Sequence, residues 1–161
     1  MSMSEQKGFI GAITPFNRLN NEGLEELCKE LNISYFKKGE IILKNGEKPE
    51  YLYFMMKGVV QEIHKEEIVS VYEQHQYFDP ITLIENNIKH DFVVIEEVIC
   101  YTLPRELFLN IMYKNEELES FFFQSISKKL NSSMEHEQSK ELVNFMIARV
   151  KDAYLQKPLI L

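Results

Sequence analysis

The sequence predicts a mainly β domain with flanking helices: an antiparallel jelly roll (double-stranded β-helix) followed by C-terminal α-helices. Three observations predict it. From Ile33 to Leu103 apolar residues alternate with period two, and turn signals recur at strand spacing without any helical period between them. On both sides of that stretch the apolar period changes to that of a helix. The chain has 161 residues, 45% hydrophobic, 12% aromatic and 27% charged, enough to bury one core without disulfides or metals.

Residues 1–32 read as an N-terminal helical segment. PFNRLNNEGLEELCKEL has apolar residues at Leu19, Leu24, Leu27, Cys28 and Leu31, which predicts a short helical turn and then a helix from about Glu22 to Leu31. Residues 33–134 form the β-roll with its own C-terminal helix. ISYF leads into Lys38-Gly39, EIILK into Asn45-Gly46, and YLYFMM into Lys57-Gly58, each a turn favoured by glycine. VVQEIH, IVSVYE and FVVIEEVICYTL follow, for seven or eight short strands in all. Pro104 begins a helix, PRELFLNIMY, where a missing N–H costs nothing.

A second helix is predicted over about Glu116 to Met134. Its apolar positions, including Leu118, Phe121, Phe122, Phe123, Ile126 and Leu130, sweep roughly 220° of the helix surface. One face covers the roll. The surplus points to a second copy of the chain, so Leu118, Phe121, Phe122, Ile126 and Leu130 are the expected homodimer contacts. The alternative is a helix buried on two sides within one chain by residues 140–154. That segment has Leu142, Val143, Met146, Ile147, Val150 and Tyr154 at helical spacing, and 135–161 reads as a helical linker. The terminal Leu159-Ile160-Leu161 predicts entry into a further domain.

Several functions are disfavoured. The net charge of −7, with cations scattered, provides no basic stripe for nucleic acid. No apolar run has the length of a membrane span, and two distant cysteines, Cys28 and Cys100, fit buried thiols in a reducing cytoplasm. His64, His75, His90 and His136 lack metal-ligand spacing; the HExxH start at His136-Glu137 fails at Lys140. No nucleophile elbow, P-loop or dinucleotide fingerprint occurs, so neither catalysis nor a cofactor is expected of this chain.

The order of short helix, YFKKGEIILKNGEKPEYLYFMMKGVV, charged hairpin, YFDPITLIENN, TLPRELFLNIM and long helix resembles the cyclic nucleotide-binding domain. Catabolite activator proteins, kinase regulatory subunits and gated channels share that domain. The resemblance covers about residues 15–134 and implies a regulatory role in signal transduction. It also places the ligand loop at YFDPITLIENNIKHDFVV. Family members that bind cyclic nucleotide have a glycine that opens backbone N–H groups to the phosphate, a glutamate for the ribose and an arginine for the phosphate. Laid on this sequence without gaps, the glycine falls on Asp79, the glutamate on Pro80 and the arginine on Lys89, with His90 and Asp91 at the small positions.

Loss of the ribose and arginine contacts, at about 1.5–3 kcal/mol each, weakens binding by roughly 10² to 10⁴. Tight binding of cAMP or cGMP is therefore not expected. The plain expectation is a filled loop in which Phe78, Ile81, Leu83 and Ile84 pack inward and Asn86 and Asn87 turn the chain. The alternative is a small-anion or nucleotide sensor built from Phe78, Asp79, Pro80, Ile81, Thr82, Lys89 and His90; another is a dimerisation module with no ligand.

The far end adds a second resemblance. VNFMIARVKDAYLQKPLIL looks like the linker that joins such a domain to a CBS pair and a nucleotidyltransferase-like domain in a group of bacterial signalling proteins. This implies downstream domains of the same protein as partners.

Overall fold

The computed structural model describes residues 2–78 and 80–133, with side chains through Lys128. Helix α1, Met3–Ile10, starts where the Ser2 hydroxyl accepts the Glu5 N–H, and α2, Asn21–Lys29, where the Asn20 side chain accepts the Gly23 N–H at 2.7 Å. A 3-10 turn, Phe16–Arg18, lies between them. Its Phe16 is fully buried and meets the rings of Phe54 at 5.1 Å, Tyr77 at 5.6 Å and Phe122 at 5.9 Å. One aromatic contact set thus fastens the N-terminal segment to the roll and to the last helix.

The strands are β1 (Asn32–Phe36), β2 (Ile41–Leu43), β3 (Tyr51–His64), β4 (Glu67–Tyr72), β5 (Tyr77–Phe78) and β6 (Asp91–Pro104). All pairings are antiparallel, in the order β1-β6-β3-β4, with β2 added to β6 and β5 to β3. The fold is the antiparallel β-roll with flanking helices that the alternation predicts, although with six strands among the described residues rather than seven or eight.

The difference lies at Lys57-Gly58. Instead of ending a strand there, Gly58 adopts φ +105° and the β3–β6 register shifts three times between Met55 and Val60. A run of bulges bends one long strand around the roll where two strands and a turn were expected. A Cβ on Gly58 would stand 2.2 Å from the Glu97 carbonyl oxygen, so only glycine lets the two long strands pass this closely.

The loop segment after β5 contains a six-residue helix, α3 (Pro80–Glu85), too short and too apolar to announce itself by periodicity. Helix α4 (Arg105–Lys114) follows β6 directly, with Pro104 at its N-cap, and α5 runs from Glu116 to Ser133. Two apolar clusters result. One joins α1, α2, α3, α4 and α5 to one side of the roll; the other, led by Tyr53, Met55, Val60, Phe78, Phe92, Val94 and Cys100, fills its interior.

The apolar arc of α5 is met within the chain. Leu118, Phe122 and Ile126 are buried in the first cluster. The Arg18 guanidinium lies over the Phe121 ring at 5.4 Å, and the Phe123 ring lies 6.3 Å from Tyr113. The surplus that pointed to a second copy therefore has partners on both sides of the helix in one chain. The side chain of Leu130 and residues 134–161, including the expected linker helix and apolar end, lie outside the described residues.

Candidate functional site

The sequence places the site on the segment from Phe78 to Asp91, and the fold aims that segment at the mouth of the roll. Phe78 ends β5 and turns inward. Its ring stacks on Tyr53 at 5.1 Å and 15° and on Phe92 at 5.2 Å and 27°, and Tyr72 lies 5.4 Å away. Phe36 meets the Tyr53 ring edge-on at 6.1 Å. Phe78 and Phe92 are 1% and 0% exposed, so these rings occupy the roll interior themselves. Desolvation there pushes the Tyr53 hydroxyl well up and the Cys100 thiol up to about 12.

Helix α3 is held through carbonyls of its second half and middle. The Arg105 guanidinium donates from Nε to the Leu83 carbonyl at 2.7 Å, satisfying an acceptor in the last turn of the helix. Asn87 donates its N–H back to the Thr82 carbonyl, and Asn86 takes φ +57° to turn the chain. The loop then locks onto the β2–β3 connection, where Gly46 donates its N–H to the Ile88 carbonyl, Ile88 donates its own to the Glu47 carbonyl, and the Lys48 ammonium donates to the Asn86 carbonyl. Thr82, Leu83 and Ile84 are buried, while Ile81 and Pro80 are half-buried. Asp79 lies outside the described residues.

Of the two basic residues in the loop, the one that faces inward is His90. Lys89, the position laid on the family's arginine, has a 58% exposed side chain and pairs with Glu85 at 3.0 Å, one helical turn earlier. His90 reaches into the roll, where its Nδ1 lies 2.5 Å from Glu62 Oε2. The Tyr72 hydroxyl donates to Glu62 Oε1 at 2.8 Å. The His64 ring lies beside His90, with centroids 4.6 Å apart. Asp91 accepts the Asn45 N–H and so turns away to the surface loop.

Glu62 was missed in the sequence, yet it left a signal. It stands two residues after Val60 on β3, in phase with the inward set, and its side chain is 1% exposed. A charged residue at a core phase of a strand calls for a partner, and Tyr72 and His90 are those partners. Three groups from β3, β4 and the loop thereby converge under the mouth of the roll. No trio of His, Cys, Asp and Glu among the described residues is arranged to hold a metal ion.

The model of the cyclic nucleotide-binding domain matches residues 33–115. The chain belongs to that family. Among curated proteins the domain is 22% identical over 125 residues to the human cGMP-dependent protein kinase 2 and 27% identical over 138 residues to the potassium channel SKOR of Arabidopsis thaliana. Those alignments cover 73% and 81% of this chain but 16% of each relative, so the chain spans about a sixth of their length.

Among solved structures, the sensor domain of the transcriptional regulator DNR from Pseudomonas aeruginosa superposes with a TM-score of 0.69 at 17% identity, covering 77% of this domain and 92% of that chain. The regulatory subunit of a cAMP-independent protein kinase A from Trypanosoma cruzi, bound to guanosine, gives 0.65 at 21%, covering 79% and 50%. These likenesses establish the β-roll fold. No helix among the described residues is long and apolar enough to cross a membrane.

Proposed function

We propose that this domain is a regulatory module of a larger bacterial signalling protein and that it does not use cyclic nucleotide as its signal. The observation that carries this is the interior of the roll, occupied by the Tyr53–Phe78–Phe92 stack and by the Glu62–His90–Tyr72 group. A cyclic phosphate bound at His90 would have to draw its imidazole away from Glu62. It would then face that carboxylate at a cost of about 4 kcal/mol for charges about 4 Å apart. Pro80, at the start of α3, supplies no N–H toward an anion.

The linker-like end supports a cytoplasmic protein with CBS and nucleotidyltransferase-like regions downstream, to which α4 and α5 would transmit packing changes of the roll. Self-association falls in this proposal to Leu130 and the residues after it, because Leu118, Phe122 and Ile126 are buried inside the chain.

Glu62 favours a second reading. A buried carboxylate accepts from hydroxyls as readily as it repels phosphate, so a neutral ribonucleoside that replaced the His90 contact with its diol would suit it. The guanosine-bound relative is consistent with that chemistry.

One screen tests both readings. Thermal shift and calorimetry on the whole chain with cAMP, cGMP and guanosine at about millimolar concentration should show no stabilisation by the cyclic nucleotides. Saturable binding of either overturns the proposal. Binding of guanosine alone, abolished by Glu62→Gln, supports the second reading.

A further inference from the structure

The last strand in the sheet order, β4, pairs with β3 alone among the described residues, so the N–H and C=O groups along its other side form an edge. Its six residues, EIVSVY, contain neither proline nor lysine, the residues that commonly guard such an edge. One register shift lies toward the turn, and beyond it Ser70, Val71 and Tyr72 pair regularly with Glu62, Gln61 and Val60. Ile68, Val69 and Val71 are 57%, 46% and 44% exposed, three of the seven large apolar side chains exposed among the described residues. An open edge rich in β-branched residues is a template for a further strand.

Charge decides what can pair there. Glu66 and Glu67 precede the apolar run and Glu73 follows it, all three exposed, against one lysine in the turn, Lys65. Antiparallel pairing of two copies centred on Ser70 would set Glu67 of each opposite Glu73 of the other, so like charges would meet at both ends. Moving the centre to Val69 or Val71 sets a carboxylate opposite a valine instead. The edge therefore opposes its own copy and suits a strand with cations at its ends.

We propose that β4 takes a further strand from a partner protein: an extended segment with alternating aliphatic residues and a Lys or Arg at each end. Backbone hydrogen bonds along the edge hold it, its aliphatic side chains pack beside Val69 and Val71, and its terminal cations meet Glu67 and Glu73. This surface goes beyond the regulatory reading above and stands whether or not the roll interior takes a ligand.

The probes are three capped nonapeptides. The first is Lys-Arg-Val-Thr-Val-Thr-Val-Arg-Lys, the second replaces its four basic residues with glutamate, and the third keeps them but N-methylates the three valines, which removes their N–H donors. Each is titrated to millimolar concentration into the ¹⁵N-labelled whole chain and followed by amide chemical shifts. The basic peptide should give saturable shifts centred on residues 67–73 and bind at least about 10-fold more tightly than the acidic one. The N-methylated peptide should give none.

Val71→Lys, at an exposed position, should abolish binding of the basic peptide while the remaining spectrum stays unchanged. Glu67→Lys combined with Glu73→Lys should reverse the preference, so that the acidic peptide binds more tightly; this reversal decides the matter even if Val71→Lys fails to fold. Equal binding of the two charged peptides, or no reversal in the doubly substituted chain, overturns the charge assignment. Undiminished binding of the N-methylated peptide overturns strand pairing. No saturable shifts with the basic peptide, shifts centred away from β4, or β4 shifts that follow protein concentration without peptide, as a second copy would give, overturn the proposal.

Discussion

Truncating Phe78 to alanine distinguishes a filled roll from an open one. The side chain is 1% exposed and contacts three rings, those of Tyr53, Phe92 and Tyr72, at centroid distances of 5.1, 5.2 and 5.4 Å. Removing it from a closed interior loses its transfer free energy and leaves a cavity that the strands around it, tied by the β3–β5 and β3–β6 ladders, cannot collapse. The expected cost is about 3–5 kcal/mol, within which each stacked pair accounts for about 0.5–1.5 kcal/mol.

With a urea m-value of about 2 kcal/mol/M, equilibrium unfolding at 25 °C should show the midpoint falling by roughly 1.5–2.5 M. The cavity should be dry and apolar, so toluene at about millimolar concentration should restore part of the midpoint in Phe78→Ala and leave the parent unchanged. Were the roll an open ligand chamber, Phe78 would be only a wall with solvent behind it. A loss below about 1.5 kcal/mol, with no response to toluene, would refute the reasoning.

Two further outcomes follow from the strand crossing and the buried thiols. Gly58→Ala combines a positive φ with a backbone clash at 2.2 Å, so it should cost about 3 kcal/mol or more; Gly39→Ala, with φ +91° and open space around it, should cost about 1–2 kcal/mol. Equal losses in urea melts would remove the close β3–β6 crossing as the cause. Burial pushes Cys100 up to about 12 from an ordinary value near 9, so the folded state holds a proton that the unfolded chain releases in between. That stabilisation is complete below about pH 9 and is lost as the pH rises toward 12, at up to about 1.4 kcal/mol per pH unit. Cys100→Ala should flatten this alkaline slope relative to the parent; an unchanged slope would show that the thiol is solvated.

The period-two alternation from Ile33 to Leu103 and the flanking helical periods were enough for the β-roll, because burial of one strand face and one helix stripe is written residue by residue. So was the departure of the ligand loop from the pattern of cyclic nucleotide binders, since Pro80 lacks an N–H in any conformation. The inward packing of Phe78, Leu83 and Ile84 followed from their apolar character alone.

Tertiary structure decided what depends on pairing across the chain. Lys57-Gly58 has the local look of a turn, and only the passage of β6 behind it makes it a bulge in one long strand. The apolar arc of α5 exceeds one stripe in any reading, but its partners, Arg18 and Tyr113, are about 103 and 10 residues from Phe121 and Phe123 in sequence and next to them only in the fold. Lys89 and His90 are adjacent basic residues in the sequence, and only the fold sends one to solvent beside Glu85 and the other to Glu62. A side chain's phase is local, whereas its partner is fixed by the closing of the roll.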